Sequence, residues 1–183
     1  MHPLHVLKHE HRVIEKTLRA LEGVCLKLEL GGSVPTPVLY SLVDFITEFT
    51  DRFHHGKEED YLFPALHRQG IANRQSALNA IAREHEVERE LTDRMREVVV
   101  EYAEGDEESR RRFVEAARAY VRHLIGHIQR EDAILFRVAD ELLDEVDRED
   151  LAAGFERARI EFGPALCERY EKIATDLEQS WAE

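Results

Sequence analysis

Thiols are scarce in this 183-residue chain, whose cysteines are Cys25 and Cys167. Two sulfurs cannot build a disulfide framework or a four-thiolate metal site within one chain, and so few of them fit a reducing, cytoplasmic compartment. Positive charge is also short: 25 Lys and Arg stand against 38 Asp and Glu, a formal net charge of −13. A surface of that sign repels phosphate backbones and anionic lipid, so neither nucleic acid nor a membrane is expected as a partner. No apolar run reaches the roughly 18 residues that a bilayer span needs. The N-terminal MHPLHVLKHEHRVIEK carries neither the apolar h-region nor the cleavage site of a secretory signal. Glycine and proline are confined to a few places, around 31–37, 68–73, 102–109 and 162–164.

Between those breaks lie long stretches of Leu, Ala, Glu and Arg with little β-branched alternation, which predicts an all-α chain. Helices are expected over about 3–30, 37–68, 74–103 and 108–141, with a shorter, broken helical segment over 148–181. Four long helices joined by short turns should form an antiparallel up-down four-helix bundle. We expect residues 1–145 to make the bundle and 146–183 a C-terminal extension packed on it.

Histidine is abundant, at ten residues, and helical periodicity predicts where each one points. Leu4, Leu7, His11, Ile14, Leu18, Leu21, Cys25 and Leu28 alternate by threes and fours, so His11 lies in a core stripe. His85 and Glu88 occupy the same kind of position in the third helix. The fourth helix offers Tyr120, His123, His127, Glu131 and Ile134. The stripe of the second helix rotates before Leu62 and Phe63. His54 lies about a quarter turn from the stripe and His55 roughly opposite it, which favours His54, with Glu58 one turn on.

A repeat ties these residues together. The pattern H-x3-E-[ED]-x2-L-F occurs from His54 and again, 73 residues later, from His127. Upstream of each copy stands E-H-x-V, at Glu10 and, 74 residues later, at Glu84. The chain therefore reads as two equivalent helix pairs, with His123 as an extra imidazole. Carboxylates and imidazoles buried together without compensation would cost several kcal/mol per charged group. Two multivalent cations would offset that cost, and a mixed N and O donor set suits iron, with manganese or zinc as alternatives. Glu59, Asp60 and Asp132, beside these residues, are expected to bond the outer imidazole nitrogens or to form a solvated face.

The segments KHEHRVIEK, HHGKEEDYLFPAL, REHEVER and HLIGHIQREDAILF resemble the hemerythrin family, specifically bacterial hemerythrin-like proteins with the HHE cation-binding domain. The resemblance spans roughly residues 4–142. It implies metal ligands at His11, His54, Glu58, His85, His123, His127 and Glu131, with His55 the alternative to His123. The two glutamates would bridge two iron ions, with an oxo or hydroxo oxygen between them. Two features depart from the invertebrate oxygen carriers. Ile81 stands where their third helix has a further His, and H-x3-E replaces H-x4-D on the last helix. The resemblance implies binding of O2 or a related oxidant (peroxide, NO) for sensing, storage or detoxification. The alternative is a di-iron enzyme or repair factor, reducing peroxide or NO or donating iron to Fe–S clusters.

Overall fold

The computed structural model describes residues 2–70 and 75–182. The predicted start of the third helix at residue 74 lies outside that range. Among the described residues the chain is helical, with no strand. The first rod is α1 (Pro3–Glu29), begun by Pro3, whose fixed φ suits a first helical position. The second runs through α2 (Thr36–Phe45), widened π-helical turns over Ile46–His55 and Glu58–Leu62, and α3 (Phe63–Arg68). The third is α4 (Gln75–Ala103). The fourth comprises α5 (Glu107–Arg130), a π-helical turn at Glu131–Leu135, and α6 (Phe136–Leu142).

Asp106 caps α5 through the Glu108 amide, and Asp144 and Asp147 form a reciprocal capping box at the start of α7 (Glu145–Phe162). Gly163, at φ +104°, makes the reversal into α8 (Pro164–Trp181), a backbone angle that a side chain would oppose.

The first rod packs on the fourth, and the third packs on both the fourth and the second, which closes the all-α hemerythrin-like bundle. Its apolar interior is split. One cluster includes Ile14, Leu18, Leu21, Phe45, Phe49, Met95 and Phe113. The other includes Leu4, Leu7, Leu62, Phe63, Leu78, Leu135 and Phe136. Between them sits a layer of buried histidine and glutamate. The α1 stripe is buried at every predicted position, His11 included.

The fourth rod departs from the simple periodicity. Leu124 is buried where His123 was expected, and Ile134 is 57% exposed while Leu135 turns inward. Steps of three and four residues both keep a helix in register, and burial of leucine selects the sequence Tyr120, Leu124, His127, Glu131. The widened turn after Glu131 then places Leu135 inward.

The last two helices close one flank. α8 lies along α1, and Tyr170 donates a hydrogen bond to Asp44 over 2.8 Å. On α7, Phe162 stacks on Phe53 with ring centres 4.7 Å apart, and Phe155 meets Tyr61 edge-on. No helix among the described residues is long and apolar enough to cross a membrane.

Candidate metal centre

Among the described residues, the π-helical segments lie in the two rods that carry the H-x3-E repeats, and two of them begin at Glu58 and Glu131. Bonding from i to i+5 widens the turn and re-aims the side chains that follow, a distortion common at functional sites. It brings His54 and His55 inward together, each about 1% exposed.

Two quartets of ligand atoms result. His11, His54, Glu58 and Glu131 form one, and His55, Glu58, His85 and His127 the other, with the atoms of each within 4.8 Å of one another. All of these side chains are buried.

Both glutamates reach across the two halves. Glu58 Oε1 faces His54 Nε2 at 3.9 Å, while its Oε2 faces His85 Nε2 at 3.6 Å. Glu131 Oε2 lies 3.1 Å from His11 Nε2, and its Oε1 lies 3.2 Å from His127 Nε2. One half thus has two imidazoles and the other three, with two carboxylates shared.

Outside this ring, four of the imidazoles donate Nδ1–H to a carboxylate. His54 bonds Glu10 and His127 bonds Glu84, both over 2.9 Å. His11 bonds Asp132 over 2.9 Å and His85 bonds Glu59 over 2.7 Å. Each bond fixes the tautomer that leaves Nε2 free to bind a cation and raises its basicity.

Every outer carboxylate is in turn held by a base: Glu10 by Lys57, Glu84 by Arg130, Glu59 by Arg89 and Asp132 by Arg12. The two copies of the repeat superpose in role, with Glu10, His11, His54, Glu58 and Glu59 matching Glu84, His85, His127, Glu131 and Asp132. The match fails in two places. His55 faces inward where the second copy has Ile128, and Glu88 faces inward where the first copy has Ile14.

The electrostatics of the metal-free cluster are in conflict. Burial, reinforced by the charge of Glu131, pushes Glu58 well above the usual carboxylate range. Burial acts on Glu131 in the same sense, but the charge on His127 and the imidazole bonds outweigh it and hold Glu131 well below that range. Burial also lowers His54 to about 4 and His55 well below its ordinary value. Both Glu58 oxygens, Glu131 Oε1 and both ring nitrogens of His55 have no hydrogen-bond partner. Buried polar atoms seldom go unpaired. A pair of cations would satisfy the carboxylate oxygens and one nitrogen of His55 and replace the protons, so the donor set fits metal.

Of the residues singled out from the sequence, His11, His54, Glu58, His85, His127 and Glu131 converge here, and His123 does not. Its side chain is 25% exposed and its Nε2 lies 3.6 Å from Glu88 Oε1. His55, weighed as its alternative, stacks 4.0 Å over the His85 ring. Four supporting residues, Glu10, Lys57, Glu84 and Glu88, were not assigned a role from the sequence. The repeated E-H pair did mark Glu10 and Glu84. Nothing local marked Lys57, a lysine within a charged run that proves fully buried.

Imidazoles and carboxylates facing one another inside a helical bundle define a cation-binding helical protein. The chain belongs to the hemerythrin family: the profile described as hemerythrin HHE cation binding domain matches residues 2–139. Uncharacterized proteins of Mycobacterium bovis and of two Mycobacterium tuberculosis strains are each 27% identical to it over 175 residues, 95% of this chain and 68% of theirs. No solved structure matches the chain significantly.

Proposed function

We propose that the chain is a non-heme di-iron protein that binds O2, or a related small oxidant such as peroxide or NO, for sensing, storage or detoxification. The observation that carries this reading is the pair of buried quartets joined by Glu58 and Glu131. His11 and His54 would hold one iron and His55, His85 and His127 the other, with both glutamates bridging. Iron, when bound, would supply the electrons and the coordination position for the oxidant.

The protein's own part is to position and to insulate. Glu10, Glu59, Glu84 and Asp132 orient the imidazoles, and the apolar clusters on either side keep bulk water out. Imidazole-rich ligation favours the reduced metal more than an all-carboxylate shell does, which supports binding over oxygenase chemistry. The two-imidazole half has one donor fewer, which would leave a coordination position open to a small ligand there.

Metal analysis of protein purified without added iron, together with its absorption spectrum, tests the centre. Two irons per chain with a charge-transfer band in the oxidised protein are expected, and a metal-free protein that takes up no iron on ferrous loading, and shows no such band after exposure to air, would refute it. Stopped-flow mixing of the reduced protein with O2 then separates the roles. A long-lived oxygenated band supports binding. Rapid one-way oxidation with peroxide turnover supports the alternative, a di-iron enzyme or repair factor.

A further inference from the structure

Glu88 is a buried carboxylate that belongs to neither quartet. Its Oε2 lies 3.5 Å from His55 Nε2, its Oε1 lies 3.6 Å from His123 Nε2, and neither oxygen has a hydrogen-bond partner. His123 Nε2 is unpartnered as well, and its ring is partly open to solvent. Three rods thus contribute His123, Glu88 and His55 to a continuous line of nitrogen and oxygen donors, running from the surface to the three-imidazole half of the centre. A cavity of about 40 Å³ adjoins the line, bounded in part by Asp51, His55, Glu88 and Thr92. It has room for a few waters.

The inner end of this line is made by the two positions at which the internal repeat is broken. Ile14 and Ile128 show what ordinary core demands at those positions, and there the second copy has Glu88 and the first has His55. Among the described residues the two apolar clusters flank the centre, and α7 lies over the Glu10–Lys57 side, where a cavity of about 220 Å³ borders Glu10 and Lys57 without reaching a residue of either quartet.

A divalent cation pays heavily to shed its water in one step. Donors spaced along a path take over its hydration piecemeal, and one imidazole with one carboxylate holds it too weakly to trap it. The chemistry of the path, mixed N and O, matches that of the centre it leads to.

We propose that His123 and Glu88 form the path along which a divalent metal cation is loaded into the centre, His55 being the first resident ligand to receive it. This rests on the metal centre proposed above.

The test mixes the metal-free protein with Co2+ and follows uptake by absorption, comparing wild type with Glu88→Gln, His123→Asn and, as a control, Glu86→Gln at an exposed position on α4. Loss of a carboxylate or imidazole from the path should slow uptake on the order of tenfold, the lower end of what a charged cleft adds to an on-rate. The final number of ions per chain should equal that of wild type, and Glu86→Gln should load at the wild-type rate. Loading at the wild-type rate by either path variant overturns the proposal. A lower final stoichiometry in Glu88→Gln makes Glu88 a resident ligand and overturns it too. Should wild type itself take up no Co2+, the metal centre fails, a result distinct from normal loading of the variants.

Discussion

Two arms of the centre have the same wiring and different surroundings. In the first, Lys57 holds Glu10, which holds His54. In the second, Arg130 holds Glu84, which holds His127. The imidazole bond is 2.9 Å in both. Yet Lys57 and Glu10 are 1% and 6% exposed by side chain, against 45% and 20% for Arg130 and Glu84. The difference comes from α7, whose Phe155 joins Phe53 in covering Lys57 Nζ, 3.7 Å from the Phe53 ring centre. Equivalent chemistry encoded twice therefore carries unequal energetic weight, set by what lies on top of it.

The bridging carboxylates belong to both halves, and their removal should have the largest effect. Glu131→Ala is expected to reduce the metal content of purified protein from two ions per chain to near none, measured by elemental analysis. Retention of both ions would mean that the halves do not share this residue.

Next in size is the contrast between the arms. Lys57→Ala leaves Glu10 buried and unpaired and should cost about 3–5 kcal/mol in urea unfolding of the metal-free protein. Arg130→Ala at the exposed arm should cost at most about 1 kcal/mol. Equal losses would erase the distinction drawn from burial.

Metal affinity should respond more evenly. Glu10→Gln and Glu84→Gln each loosen one imidazole through the same bond, and each is expected to weaken metal affinity about 10–100-fold in chelator competition. A much larger loss in one arm would show that burial governs ligation as well as stability.

The smallest expected effect concerns Glu88, which has no counterpart in the first copy. Burial raises its pKa from 4.5 to about 7 in the folded, metal-free protein. The folded state therefore holds this proton more tightly than the unfolded chain. The resulting stability is complete below the ordinary carboxylate range and is lost as pH rises through about 7. Melting temperature should fall less steeply over that interval in Glu88→Gln than in wild type, and identical slopes would place Glu88 in a wetter setting.

Much of this architecture was legible in the residues. Leucine and alanine periodicity located the rods, and the doubled H-x3-E and E-H-x-V patterns predicted six of the residues that meet at the centre. The misplacements share a physical origin. His123 and Leu124 both fit a helix read in steps of three and four, and only contact with the neighbouring rods makes leucine the better fit. His55 was assigned to the far side of a regular α-helix, whereas the chain there is wound more widely.

Composition and spacing by themselves determined that the chain is helical, that nitrogen and oxygen donors recur on two helix pairs, and that two cysteines are too few for a four-thiolate site. Tertiary structure alone decided which of two adjacent histidines turn inward, that both do, and that Lys57 is sealed while Arg130 is not. The reason is that donor type and period are properties of one strand of sequence. Burial and distance belong to pairs of helices, and small angular differences along each rod accumulate until only close contact between rods resolves them.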